Sequence, residues 1–247
     1  MTRATTSDRI ELRAEILKLA RLLGFQPEEV GYLSALPASE VRQLREQVTE
    51  LLFDSHLGAL KRLAAASRLL PVALVAQMGE KAFGPLLSAR ITGLLDPDKA
   101  VDVAARLPDA FLADAAVELD PRRASAVLAR MPPERIGAVS AELAAQGEYV
   151  TMGRFVGHLP DESIRATLDV FAPADTLQVA LVLENKERLG DLVELLGPER
   201  LEEMLAAADS AGLGAEAREL LEMAGAPGPT DLKRQRAGAR ARARPQS

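Results

Sequence analysis

The chain has 247 residues, of which 48% are apolar and 3% aromatic, a formal net charge of −6 and no cysteine. This length can bury one large core or two smaller ones, and the absence of cysteine excludes disulfides and thiolate metal sites. Because alanine and leucine favour helix, we expect an all-α fold. The sequence has no stretch long enough for a membrane span and no signal-peptide pattern, so we expect a cytoplasmic protein. Abundant alanine and an excess of arginine over lysine are typical of bacteria with GC-rich genomes.

The first 94 residues predict helices of unequal length. Residues 1–7 lack periodicity and are expected to be disordered, whereas apolar residues recur at helical spacing from residue 8 until Gly24 ends the helix. Pro71 and several glycines divide the stretch from residue 69 to 94 into shorter helices. We expect residues 8–94 to form a helical region that packs on the part of the chain that follows.

A longer helical pattern extends from residue 39 to residue 68. Val41, Leu44, Val48 and Leu51 keep the three-four spacing of a coiled coil, so residues 37–68 could form half of a homodimer interface. The phase breaks after Leu51, and a coiled coil normally needs three or four heptads. Packing against the chain's own helices is therefore the preferred interpretation of this stripe.

From residue 95 the sequence becomes regular, because large apolar residues, here called anchors, recur at intervals of mostly twelve residues. Most anchors are followed by proline or aspartate, which end one helix and begin the next. Each block thus predicts one break and one helix of nine or ten residues, too short to be stable alone. Two blocks make a repeat of about 24 residues, so residues 95–225 predict an α-solenoid. The anchors are Leu95, Leu107, Leu119, Met131, Leu143, Leu159, Phe171, Leu183 and Leu196.

The last part of the chain, residues 226–247, predicts a disordered basic tail. Residues 231–247 carry six cations against Asp231, a net charge of +5, which leaves −11 for residues 1–230. The tail has no aromatic residue to stack on bases, so we expect non-specific attraction to anions and no specific nucleic-acid binding. Its cations are Lys233, Arg234, Arg236, Arg240, Arg242 and Arg244.

The run LLDPDKAVDVAARLPDAFLADAAVELDPRRASAVLARMPPERIGAV carries a family resemblance. Residues 95–205 resemble the N-terminal intracellular domain of MgtE-type magnesium transporters, and the helical domains of the flagellar motor switch protein show a similar rhythm. The resemblance implies a right-handed superhelix of short helices and a role in sensing or partner binding. In the transporters this domain precedes a pair of CBS domains and a membrane pore, neither of which we expect in these residues.

Two pairs of acidic residues are candidate metal ligands. Asp98 with Asp102, and Asp114 with Glu118, are four residues apart, so each pair shares a helix face and could hold Mg²⁺ together with water. A solvated acidic face explains these pairs as well. His56 and His158 do not lie in a metal-binding motif, and we expect them to be structural.

The sequence contains no recognisable pairing of nucleophile and base, no phosphate-binding loop and no cofactor motif, so we expect no enzyme and no cofactor apart from Mg²⁺. The leading hypothesis is a non-catalytic cytoplasmic scaffold or protein-interaction module with an unidentified protein partner. The alternative is a magnesium-responsive regulatory protein that acts in trans.

Overall fold

The computed structural model describes residues 6–54, 57–184 and 186–225, and within these residues the chain contains helices and no strand. The all-α prediction is therefore confirmed for the described part of the chain. Residues 1–5 and the basic tail from residue 226 lie outside it, whereas Thr6 and Ser7 already belong to the first helix. The helices are α1 (Thr6–Leu23), α2 (Ala38–Asp54), α3 (Leu57–Ser67), α4 (Val72–Met78), α5 (Gly84–Thr92), α6 (Pro97–Ala104), α7 (Asp109–Glu118), α8 (Ser125–Leu128), α9 (Pro133–Ala145), α10 (Tyr149–Phe155), α11 (Asp161–Val170), α12 (Pro173–Leu181), α13 (Leu189–Ser210) and α14 (Gly214–Met223).

Shorter helical turns complete these elements. Three segments form 3₁₀ turns, at Pro27–Ala35, Val156–His158 and Lys186–Arg188, and Gly79–Phe83 forms a π-helical turn. Helix α13 is broken at Gly197, whose φ of 71° lies in the left-handed region, directly before Pro198. The predicted break after the anchor Leu196 is therefore present inside this element.

The N-terminal helices follow the apolar pattern of the sequence. Helix α1 ends before Gly24, which has a φ of 70°, as predicted. In the structure the pattern from residue 39 to residue 68 forms two helices, α2 and α3. Residues 55–56, between these helices, are not among the described residues. Val41 is fully buried against α1, whereas Leu44 is 39% exposed. The first position of the proposed coiled coil is thus covered by the chain itself, and the homodimer stays a prediction.

Proline and aspartate start the short helices of the repeat region. Pro97, Pro133 and Pro173 occupy the first turns of α6, α9 and α12, where the missing N–H costs nothing. Helices α7 and α11 begin one residue later, at the aspartates that follow a proline. The block pattern of break and helix is confirmed at these positions.

Two blocks depart from the pattern. After the anchor Leu119 the chain makes a turn through residues 121–124, and α8 has only four residues. The anchor Leu143 lies inside α9, which continues to Ala145 before Gly147 (φ 72°) turns the chain. The extra residues before the next anchor, Leu159, form α10 and a 3₁₀ turn.

Helices two positions apart in the chain pack against each other, so the repeat region forms two rows. The first row consists of α3, α5, α7, α9, α11 and α13, each of which packs on the next. The second row consists of α4, α6 and α8, which pack in succession, and of α10, α12 and α14, which do the same. Helix α1 packs against α2 and also against α10 and α14. Apolar residues of both rows share one core, which includes Leu128, Ile136, Met152, Ile164 and Phe171.

The anchor carbonyls recur as acceptors of hydrogen bonds from basic side chains. Arg135 donates to the carbonyl oxygens of Leu107 and Ala104, and Arg200 donates to that of Phe171 at 2.9 Å. Arg188 donates to the carbonyl oxygen of Leu159 at 3.1 Å, and Arg154 donates to that of Leu119 at 3.2 Å. Lys99 donates in the same way, at 2.9 Å, to the carbonyl oxygen of Leu70, an apolar residue that precedes Pro71 as an anchor would.

The spacing of these contacts reproduces the two-block repeat. Four of the donors stand four or five residues after an anchor, namely Lys99, Arg135, Arg188 and Arg200. The residue whose carbonyl each of them contacts lies about two blocks before that anchor, and only Arg154 departs from this spacing. Three of these contacts join the two rows, because Lys99 on α6 reaches the end of α3, Arg135 on α9 reaches the end of α6, and Arg188 at the start of α13 reaches Leu159 after α10. Arg200 on α13 reaches the end of α11 in its own row. At these helix ends the cations satisfy free carbonyls and oppose the helix dipole. We call these contacts the carbonyl clamps.

Replacing Arg135 tests the clamps. Arg135→Met removes the donor to two carbonyls and the partner of Asp109, which lies 2.7 Å from the guanidinium. We expect the free energy of unfolding to fall by about 2 kcal/mol, since hydrogen bonds to charged groups contribute about 1.5–3 kcal/mol. Urea denaturation measures this change, with Arg165→Met, at an exposed position of α11, as the control. Equal losses in both variants would contradict a specific role of the clamp.

Gly153 sets the closest approach between α10 and the end of α12. A Cβ atom added at Gly153 would lie 2.7 Å from the carbonyl oxygen of Val182, and the Gly153 carbonyl accepts a hydrogen bond of 3.2 Å from the amide of Glu184. Gly137 is similar, because its Cβ would lie 3.1 Å from the Ala166 carbonyl oxygen. Both glycines are required for close packing of neighbouring helices.

Gly153→Ala should therefore destabilise the fold by about 2 kcal/mol, the usual cost of overpacking a close contact. The matched control is Gly31→Ala, because a Cβ there meets no atom within 4 Å. Since alanine favours helix over glycine, we expect the control to leave the free energy of unfolding unchanged or slightly raised. Both values are measured by urea unfolding followed by circular dichroism. A Gly153→Ala variant as stable as the native chain would show that the two backbones can move apart.

Candidate functional site

The structure places the two acidic pairs on separate helices, Asp98 and Asp102 on α6, and Asp114 and Glu118 on α7. Asp98 is paired with Arg130 at 3.1 Å, and Asp114 accepts a hydrogen bond from Gln146 at 3.1 Å. The described residues contain no group of three or more His, Asp and Glu side chains arranged to hold a metal ion. Magnesium binding stays a prediction that rests on the sequence.

The two histidines are far apart in the chain. His56 lies outside the described residues, and His158 ends the 3₁₀ turn before the anchor Leu159. Burial lowers the pKa of His158, although Glu184 and Asp120 act in the opposite direction. This histidine is therefore held toward its neutral form.

A buried ionic cluster joins α1 and α2 to the repeat region. It consists of Glu11, Glu15, Lys18, Arg42, Arg45 and Glu184. At its centre Glu15 is 1% exposed and contacts Lys18 at 2.9 Å, Arg45 at 3.0 Å and Arg42 at 3.4 Å. Three cations around one buried carboxylate offset the cost of removing that charge from water.

The electrostatics of the cluster keep Glu15 ionised. Burial alone would raise its pKa, but Lys18, Arg45 and Arg42 together hold the pKa of Glu15 below its usual value of 4.5. Burial lowers the pKa of Lys18, and the attraction of Glu15 and Glu184 offsets this only in part. Glu15 and Lys18 thus form a coupled pair of buried charges at the centre of the cluster, and Arg42 and Arg45 lie around this pair.

Arg45 links the N-terminal helices to the rest of the chain. Its guanidinium contacts Glu15 on α1 and also Glu184, which follows α12 and is bonded to α10 through Gly153. A second ion pair, from Arg21 to Glu148, joins α1 to the start of α10 at 2.5 Å. Removing one partner of a buried pair leaves an uncompensated charge, so the cluster fixes where α1 and α2 lie.

Sequence reasoning missed this cluster. Glu15 and Glu184 are far apart in the chain, and the apolar spacing of α1 does not indicate partners for its acidic residues. One signal was available, since Glu15 and Lys18 lie among the apolar residues Ile16, Leu19 and Leu22 of α1, which indicates that these two charges are close to the buried side of the helix. The partners in α2 and after α12 could not be identified from spacing alone.

An apolar cavity of about 280 Å³ lies between the helices. Its lining extends from α3 to α14 and consists almost entirely of alanine, leucine, valine, isoleucine, methionine and phenylalanine. Representative lining residues are Leu63, Val103, Leu128, Met152 and Leu220. Native interiors rarely contain voids larger than a water molecule, so a cavity of this size is a distinct feature of the fold. Because the lining is apolar, a ligand or partner that fills the cavity would bury apolar surface and stabilise the folded chain.

The polar side chains in the lining are mostly bonded within the protein. Ser67, Thr92, Thr167 and Thr176 donate to backbone carbonyls, and Ser140 and Thr167 lie 3.2 Å apart. The lining also includes Ser88 and Arg135, and the Ser88 hydroxyl and the Arg135 Nε are buried without a hydrogen-bond partner in the described structure. The cavity therefore offers little to a polar ligand.

A second, smaller cavity of about 120 Å³ is polar. Glu118 and Asp120 line it together with Arg90 and Arg123, so its acids face cations. Asp120 pairs with Arg122 at 3.2 Å and with Arg123 at 3.6 Å. This arrangement favours an internal ion-pair network over a cation site.

Comparison of the chain with protein families, curated proteins and solved structures finds no match. The resemblance of residues 95–205 to the transporter domain therefore stays a prediction. Among the described helices, none has both the length and the apolarity needed to cross a membrane.

The buried carboxylate predicts a dependence of stability on pH. Because the pKa of Glu15 is lowered in the folded chain, its stabilising effect is complete above the unfolded value near 4.5 and is lost as the pH falls through the folded pKa. We expect the free energy of unfolding to fall more steeply below pH 4.5 in the native chain than in Glu15→Gln, which should be less stable at pH 7 by about 3 kcal/mol. Denaturant titrations from pH 3 to 7 measure both effects.

The exposed Glu28, replaced by glutamine, is the control for this experiment. Its profile should follow that of the native chain. Parallel profiles for Glu15→Gln and the native chain would show that Glu15 is not the group responsible.

Proposed function

We propose that the chain is a non-catalytic, cytoplasmic helical-repeat scaffold that binds a protein partner, with its short helices arranged as a right-handed α-solenoid. The observation that carries this proposal is the packing of most helices of the repeat region on the helix two positions away. Such packing uses two sides of each helix and leaves an outer face available along the whole row.

The carbonyl clamps support a scaffold role. Arg135 and Arg188 connect helices of one row to helix ends of the other, and Arg200 connects two helices of the first row, so the helices are held by contacts that repeat with the sequence. A surface supported in this way is pre-organised, and a pre-organised surface loses less entropy on binding.

Helices α9 and α11 of the first row carry exposed acidic residues. These are Glu134 and Glu142 on α9 and Glu162 on α11. These helices are neighbours in the row, so their carboxylates form a surface that suits a basic partner. The buried acids of the ionic cluster, by contrast, are neutralised by cations and serve the fold.

Charge reversal on this row tests the proposal. Glu134→Lys/Glu162→Lys should abolish capture of a specific protein partner from lysate of the source cells, because like charges then face each other. The matched control, Asp102→Lys/Glu222→Lys, changes two exposed acids on the second row and should retain the partner. Capture is quantified by mass spectrometry at about 0.15 M salt, where weak surface attraction is screened.

Circular dichroism and melting temperature establish that both variants fold. Failure to retain any specific partner at this salt concentration, or equal loss in both double variants, would contradict binding through the exposed acidic residues of α9 and α11.

A further inference from the structure

The apolar cavity reaches the surface at one end of the first row. Of the residues that line it, Leu63 and Ala66 are exposed and the others are buried or half-buried. Both lie on α3, which begins the first row, packs against α5 and also contacts α2. The opening of the cavity is therefore on α3.

The surroundings of this opening are basic, in contrast to the rest of the body. Residues 57–70, which form α3 and the turn after it, contain Lys61, Arg62 and Arg68 and no acidic residue, a net charge of +3, whereas residues 1–230 as a whole carry −11. Lys61, Arg62 and Arg68 are exposed on α3 or just after it, beside Leu63 and Ala66. Positive charges thus lie beside the apolar entrance.

We propose that the cavity binds the aliphatic chain of a single-chain anionic amphiphile, such as a fatty acid, with its acidic head group at the basic entrance on α3. The aliphatic lining and the internally bonded polar groups favour a hydrocarbon chain over a polar ligand. The proposal concerns a ligand and does not depend on the protein partner proposed above.

The size of the cavity limits the ligand to one chain. An engineered apolar cavity of about 150 Å³ holds benzene, and typical ligand pockets measure about 300–1,000 Å³. A volume of about 280 Å³ therefore suits one unbranched chain and is too small for a two-chain lipid. Charge complementarity at α3 selects an anionic head group.

Dodecanoate is the probe, used with the full chain and below its micelle concentration. Isothermal titration calorimetry should show saturable binding of one dodecanoate per chain, with octanoate at least about tenfold weaker because it buries fewer methylenes. Dodecyltrimethylammonium, which has the same chain and a cationic head, should also bind at least about tenfold more weakly. Absence of saturable dodecanoate binding, or equal binding of the cationic amphiphile, would overturn the proposal.

Two neighbouring alanines on α3 provide a matched pair of variants. Ala66 lines the cavity and Ala65 does not, and both are exposed, so phenylalanine is tolerated at either position without a core clash. Ala66→Phe should weaken dodecanoate binding at least about tenfold, whereas Ala65→Phe should change it less than about twofold. Circular dichroism and melting temperature verify folding, and equal effects in the two variants would place the ligand elsewhere.

Charge reversal separates the head group from the chain. Lys61→Glu/Arg62→Glu should weaken binding of dodecanoate about tenfold and leave binding of uncharged dodecanol unchanged, with Arg165→Glu on α11 as the control. Equal weakening of dodecanol would overturn the assignment of the head group to α3.

Two other occupants of the opening are distinguished in the same samples. Light scattering that shows a dimer abolished by Ala66→Phe, without dodecanoate binding, would assign the opening to a second copy of the chain and overturn the proposal. Retention on phosphatidylglycerol vesicles without binding of monomeric dodecanoate would assign it to a membrane surface and likewise overturn it.

Discussion

The short length of the helices governs how this chain folds. In most blocks of the repeat region a proline or an aspartate ends one helix and begins the next, and the resulting helices of about ten residues are marginal in water. Each break also exposes backbone carbonyls that have no partner within their own helix. Packing on a neighbour must therefore supply both apolar burial and donors for these carbonyls.

The carbonyl clamps meet the second requirement. Arg135 stands in the first turn of α9 and donates to carbonyls at the end of α6, and Arg200 follows the break in α13 and donates to the carbonyl at the end of α11, so one side chain connects two elements. The long, planar guanidinium suits this geometry because it can reach two acceptors at once. The excess of arginine over lysine in the sequence thus has a structural use at these positions.

The ionic cluster solves a different problem, which is where the first two helices lie. Apolar packing between α1 and α2 holds the hairpin together but would allow many placements on the rest of the chain. Arg45, held between Glu15 and Glu184, selects one placement because any other leaves buried charges without partners. The cluster contributes mainly to specificity, and its net contribution to stability is small compared with the cost of breaking it.

Sequence patterns predicted the local structure well and the distant contacts poorly. The starts of α6, α9 and α12 followed from Pro97, Pro133 and Pro173, because proline acts on its own backbone and needs no distant partner. The contact between Arg45 and Glu184 depends on the relative positions of helices that are far apart in the chain, and the twelve-residue spacing does not determine those positions. The cavity was likewise invisible, since a void depends on distances between elements.

The cavity and the close helix contacts have the same origin in the composition. Alanine and glycine allow neighbouring helices to approach, as Gly153 and Gly137 do, but small side chains cannot fill the space between the two rows. With 3% aromatic residues the chain has few large groups to place there, and Phe155 and Phe171 already line the cavity. A fold built from short, closely packed helices therefore leaves an apolar interior space, and its opening beside the basic residues of α3 makes that space accessible to a ligand.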